Sequence, residues 1–214
     1  QPEPSPRTGT EKFVDRDGSE SQYATKLNQQ KQAESIPVEV GNAKNVAETL
    51  PFLLDSQVED AGKAERRLEV DGEKAILFAN GTGTGKGLMS LGVVKRYVKQ
   101  GKGDIVIVVP KQELIDKAIE EGKLLGLDIT ALQSTSVAGQ GVTITTYANL
   151  RANTSLQMRV PDLIIFDESQ NILENQDGDI SSTTQAARKL FSYQGYSGVM
   201  KAAEQVLGVK PDGN

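Results

Sequence analysis

The sequence predicts an α/β fold, a mainly parallel β-sheet with helices on both faces. Three observations carry this. Continuous apolar, β-branched runs such as "DIVIVVP" mark strands buried on both faces. Segments of helical period such as "KQELIDKAIEEGKLLG" separate those runs. The two kinds alternate along the chain, as a sheet covered by its own crossover helices requires.

Residues 1 to about 45 are rich in Gln, Glu, Ser, Lys and Pro and have little to bury, so a disordered tail or linker is expected there. Within it, "YATKLNQQKQAES" has helical composition but sparse apolar positions. From about residue 46 to 214 one structured lobe is expected. "AETLPFLLDSQVEDAGKAERRLEV" contains a helical stretch, with Val58, Ala61 and Leu68 roughly on one side. "KAILFAN" has the look of a buried strand. In "LMSLGVVKRYVKQG", Leu88, Leu91, Val94 and Val98 recur at helical spacing and Gly101 is a C-terminal stop. "DIVIVVP" is a strand, and the amphipathic helix after it ends at Gly126. "LDITALQ" is a short strand, "GVTITTYANL" a strand running into a turn or helix, and "PDLIIFDESQ" a buried strand ending in acids. Beyond Gln170, "NILENQDGDI" reads as a loop. "SSTTQAARKLFSY" reads as a helix capped by Ser181 or Ser182, and "GVKPDGN" as a loop-like tail.

Composition narrows the chemistry. The chain has no Cys and no His. Disulfides, thiolate or imidazole metal sites, Cys nucleophiles and Ser-His-Asp triads are therefore excluded. The net charge of −5 advertises no global affinity for nucleic acid, so any such contact needs a local patch. No apolar run approaches membrane-spanning length, and no membrane partner is expected. The lack of Cys fits a cytoplasmic setting. Because the chain begins with Gln1, it is expected to be a fragment or a processed product.

"NGTGTGKG", residues 80–87, is the most specific stretch. An apolar run precedes it and a helix follows. Gly81, Gly83 and Gly85 permit close backbone approach, so N–H groups can point at a phosphate. The N-terminal end of the helix adds a partial positive charge, and Lys86 adds a point charge for the outer phosphates. Asn80, Gly81, Thr82, Gly83, Thr84, Gly85, Lys86 and Gly87 are the candidate nucleotide-binding residues. Two departures from G-x-x-x-x-G-K-[ST] stand out: Asn80 replaces the first Gly, and Gly87 replaces the hydroxyl residue that would bind a metal ion. Thr84 or Ser90 is a candidate substitute for that hydroxyl. A turnover site also needs a carboxylate for Mg2+ and a base to position water. Asp167 and Glu168, after "LIIF", stand at the end of a strand and are the candidates for those two roles.

"GTGTGKG", "IVVPKQEL", "TITTYANL" and "IIFDESQ" occur in the order and spacing of motifs I, Ia, Ib and II of superfamily 2 helicases and translocases. The chain resembles that superfamily over somewhat more than half its length, and "DESQ" resembles a DExQ variant of the DEAD/DEAH box. The resemblance implies a RecA-like P-loop lobe that uses ATP and Mg2+. It implies that Gln57 contacts adenine, and that Gln170 couples the ATP site to a neighbouring lobe. It places Pro110, Lys111, Thr145, Thr146 and Tyr147 against a DNA backbone. The G-K-G sequence is similar to motif I of strawberry notch-type helicases, and residues 50–170 are also similar to the helicase part of phage or bacterial helicase–DNA methylase fusions. A second RecA-like lobe and a methylase domain are thereby implied as partners in a larger chain. Motif III is not visible. Without a second lobe, weak ATP binding and little or no ATPase activity are expected. Two readings compete: a P-loop ATPase or kinase acting on something other than nucleic acid, and a nucleotide-binding module without chemistry.

Overall fold

The computed structural model describes residues 22–78, 85–137, 139–172 and 181–190. Its centre is a four-stranded, all-parallel sheet of β1 (Ile105–Val109), β2 (Ile129–Ala131), β3 (Val142–Thr146) and β4 (Leu163–Phe166), in the order β2-β3-β1-β4. The helices are α1 (Gln22–Ala33), α2 (Ala43–Thr49), α3 (Asp55–Glu65), α4 (Lys86–Lys99), α5 (Gln112–Leu124), α6 (Tyr147–Ala152), α7 (Thr154–Gln157) and α8 (Ser182–Leu190). The expected α/β class and the RecA-like arrangement are thus present.

Strand alternation builds two cores. Ile105, Ile107 and Val109 of β1 join the apolar cluster containing Val58, Val94, Tyr97 and Ile115, on the side of α3, α4 and α5. Val106 and Val108 join the other, with Leu150, Leu156, Ala187 and Leu190 of α6, α7 and α8. All five β1 residues are buried, as the unbroken β-branched run predicts.

Two helices stop as their glycines predict. After α4, Gly101 adopts φ +80° and donates to Val98 O, while Lys102 N donates to Tyr97 O. After α5, Gly126 at φ +66° donates to Lys123 O and Leu127 N donates to Gly122 O. Both are Schellman motifs, which satisfy the last carbonyls of the helix. The α8 cap resolves to Ser181, whose Oγ accepts from Thr184 N at 3.1 Å.

Several expectations need correction. The helical stretch expected within 47–70 is α3, with α2 and a turn before it, and Leu68 falls beyond it in a π-helical turn at Arg66–Val70. Pro51 lacks the amide that would continue the first helix. Val98 lies off the buried face at 37% exposure, although neighbouring α4 residues 91–97 are all buried. Residues 75–78 of the expected strand "KAILFAN" pair with no strand among the described residues and are half-buried. Apolar composition supplies side chains for a strand but not a pairing partner, and a short apolar run does not declare which state it takes. β4 is correspondingly half-buried, and a cavity of about 730 Å3 separates it from Ala75–Phe78.

The segment expected to be unstructured carries α1 and leads into α2. Lys95 of α4 pairs with Glu34 at 2.6 Å, and Lys99 Nζ donates to the carbonyls of Ala33, Glu34 and Ile36. Lys99 thereby satisfies carbonyls left open at the end of α1. Arg96, fully buried, is bound bidentately by Glu65 (Nε–Oε1 2.5 Å, Nη2–Oε2 2.8 Å) and donates to Asn45 Oδ1, Thr49 Oγ1 and Glu39 O. One guanidinium so ties α4 to α2, α3 and the strand-like approach to α2. Nothing in the linear sequence separates Arg96 from a surface charge.

Candidate functional site

The parallel register brings three functional stretches to one rim. Val109 lies level with Thr146, and Val108 with Phe166. Pro110–Lys111, Tyr147 and Asp167 therefore leave the sheet together at its carboxyl end. That is where open parallel sheets bind ligands.

Lys86 is the first residue of α4, and Gly85 is its N-cap at φ +74°. A side chain at Gly85 would be strained in that left-handed conformation and would collide with Gln57 Nε2. Gln57 sits at the start of α3. Its Oε1 accepts from Leu54 N at 3.0 Å and its Nε2 reaches Gly85 O at 3.5 Å. The structure thus places Gln57 against the end of the glycine loop. Asn80, Gly81, Thr82, Gly83 and Thr84 lie outside the described residues.

The acids are held by backbone bonds. Asp167 N donates to Val108 O at 2.9 Å, which prolongs the β1–β4 ladder by one residue. The next residue turns sharply. Glu168 has φ +56°, the sole positive value at a non-glycine residue among those described. Such a conformation is costly and needs fixed partners. Glu168 O has them: Asn171 N at 3.0 Å, Asn171 Nδ2 at 2.8 Å and the Tyr147 hydroxyl at 3.3 Å. The Glu168 carboxylate accepts from Gln170 Nε2 at 2.7 Å. Gln170, exposed, points at its neighbour rather than away from the site.

Burial raises the pKa of Asp167, and the adjacent Glu168 charge adds to the rise; the Lys86 ammonium opposes it. Lys86 and Asp167 are therefore electrostatic neighbours, although far apart in sequence. Both line the cavity, with Ser90, Glu168 and Gln170. Phe78 and Ile165 are among its apolar lining residues. Oxygen donors beside a lysine suit Mg2+ carried on phosphates, because that ion takes one or two carboxylates and completes its shell with phosphate and water. Gly87 is exposed, and a Cβ added there would meet none of the described residues within 4 Å.

The five residues assigned to a nucleic-acid backbone divide. Lys111 is exposed, and Pro110 and Thr146 are half-exposed. Thr146 caps α6, accepting from Asn149 N at 3.2 Å. Thr145 is 1% exposed and donates to Leu132 O. Tyr147 is 5% exposed, stacks on Phe166, and donates to Asp167 O at 2.6 Å. The side chains of Thr145 and Tyr147 thus face inward, because strand alternation and the start of α6 turn them into the second core. Burial, then the charges of Asp167 and Glu168, push the Tyr147 pKa well up, so the phenol stays a donor.

Residues 43–195 match the family model described as "Type III restriction enzyme, res subunit". The chain belongs to this family. The res-subunit match places it in the superfamily 2 helicase-like group, as an ATP-binding motor domain of that type. Nucleotide use follows, and relatives of this type bind nucleic acid and work with a second lobe. A search of curated proteins finds no match. Among the described residues, no helix is long and apolar enough to cross a membrane.

Proposed function

We propose that this chain is the first motor lobe of an ATP-dependent DNA helicase or translocase, working as part of a larger phage or bacterial protein. The observation that carries the reading is the meeting of Lys86 with Asp167 and Glu168 at the sheet rim that also presents Lys111 and Thr146. In this reading the lobe runs from about residue 46, with α1 packed onto it as an addition. The glycine loop and Lys86 hold the phosphates, and Gln57 is placed for adenine. Asp167 would hold Mg2+, with Ser90 close by as a hydroxyl. Bound Mg2+ supplies charge neutralisation on the transferring phosphate. Glu168 orients and deprotonates the attacking water, and Gln170, through Glu168, links that base to the neighbouring lobe. Pro110, Lys111, Thr146 and the backbone beside Thr145 and Tyr147 face DNA, where contact to phosphates positions a strand without reading its bases.

Gly87 supports kinship with strawberry notch-type helicases, whose motif I shares G-K-G. The methylase partner suggested by the helicase–methylase resemblance gains nothing from the family match, which describes a restriction-enzyme subunit. The alternative is a P-loop ATPase or nucleotide-binding module indifferent to nucleic acid; the inward turn of Thr145 and Tyr147 favours it.

ATP turnover by the full-length protein, with and without DNA, separates the two. DNA should stimulate hydrolysis, and Lys86→Ala or Asp167→Asn should remove at least 100-fold of the activity, the order expected for loss of a transition-state charge contact. Turnover indifferent to DNA would favour the alternative. DNA-stimulated turnover by residues 1–214 alone at ordinary helicase rates would refute the need for a second lobe.

A further inference from the structure

The Tyr147 phenol occupies a position that its candidate motif does not account for. It is the first residue of α6, directly after Thr146, and its ring stacks on Phe166 with centroids 6.1 Å apart. Its hydroxyl crosses from β3's exit to the turn after β4 and lands on two successive carbonyls, Asp167 O at 2.6 Å and Glu168 O at 3.3 Å. Those carbonyls flank the left-handed residue Glu168. The ladder bond from Asp167 N to Val108 O fixes one side of Asp167, and the carbonyl on its other side is bonded by the Tyr147 hydroxyl. Asn171 holds the far carbonyl alone; Tyr147 is the group that holds both.

We propose that Tyr147 is a positioning residue for the acidic pair: its hydroxyl pins the Asp167–Glu168 peptide from the turn that carries Thr146, and so aims the Asp167 carboxylate at a nucleotide-borne divalent cation. This rests on the reading of Asp167 as the Mg2+-facing carboxylate. Tyr147 itself touches neither nucleotide nor metal. Its effect is therefore confined to the metal-dependent share of nucleotide affinity and leaves the grip of the phosphate loop and Lys86 unchanged.

Titration of the 214-residue chain with a fluorescent ATP analogue, once in Mg2+ and once in EDTA, tests this. Tyr147→Phe keeps the ring and its stacking on Phe166 and removes only the hydroxyl. Affinity in Mg2+ should fall roughly five-fold, the effect of one lost hydrogen bond, while affinity in EDTA stays within two-fold of the wild type. Asp167→Asn provides the reference, abolishing the difference between Mg2+ and EDTA. If Tyr147→Phe loses affinity equally in both conditions, the residue only supports the fold and the proposal fails. If it binds as the wild type does in Mg2+ while Asp167→Asn does not, the inference fails and the site reading stands. If wild type and Asp167→Asn show no metal dependence, the site reading fails and takes the inference with it.

Discussion

Gly87 tests the reading of the loop at a single residue. The position is the second of α4, exposed, with no described residue where a side chain would go. Gly87→Ser should therefore add a hydroxyl without a clash. Mg2+-dependent nucleotide affinity should rise several-fold, and the midpoint of thermal unfolding should rise slightly, because a helical glycine costs up to about 1 kcal/mol. No gain in affinity would mean that the metal does not approach Gly87. Asp167 gives a prediction with a sign. Its pKa is raised, by burial first and then by Glu168, so the fold favours the neutral acid. A raised carboxylate adds stability below its unfolded pKa, and that stability is lost as pH rises through the folded value. Asp167→Asn should thus be more stable than the wild type at neutral pH, with the advantage shrinking in acid, as thermal melts across pH would show. Metal-dependent binding runs the other way: it should weaken as pH falls through the raised pKa, and the variant should show no such step. Lys86 and Asp167 stand out as candidates in the sequence because phosphate and metal binding call for these residue types at a strand–helix turn and a strand end, whereas Gln57 is singled out only by the family resemblance. Tyr147 was legible only as a member of "TTYANL"; the inward rotation that makes it a strut depends on where α6 begins, which no spacing reveals.

Among the elements, α4 is the best anchored. The bond from Arg96 to Glu65 is buried at both ends, with neither side chain exposed. Removing one partner leaves an uncompensated buried charge, which costs about 3–5 kcal/mol. Glu65→Leu should lower stability by that amount in urea unfolding, and adding Arg96→Met should restore much of it, since an apolar pair of similar volume often matches a buried ion pair. A loss under 1 kcal/mol in the single variant would show that solvent reaches the pair. The strands β1 to β4, the two glycine-stopped helices and the Ser181 cap all followed from local pattern. The segment 75–78 did not, since its apolar residues satisfy a strand's composition while its hydrogen-bond partners depend on the distant β4 edge. α1 was hidden for a related reason: its docking rests on Lys95 and Lys99, whose charges read as solvent-facing until the carbonyls they bind are in view.

For the molecule as a whole, alternation along β1 and β4 divides the interior into two cores, one on each face of the sheet. The first holds α3, which carries Gln57, and the loop helix α4; the second holds Tyr147 and the helices after β3. The candidate site sits where both cores end, at the rim shared by β1, β3 and β4. This arrangement was readable at the level of class, because strand–helix alternation admits few topologies. The sheet order β2-β3-β1-β4 was not readable, because it is chosen by crossovers whose lengths permit more than one neighbour.

The Arg96 hub also limits how the loop helix can move. Sliding α4 along its axis by one residue, a rise of about 1.5 Å, would pull the guanidinium from Glu65, Asn45, Thr49 and Glu39 at the same moment. The helix is thus an anvil rather than a piston. Whatever is bound at Lys86, the far half of α4 keeps its place against α2 and α3 through Arg96.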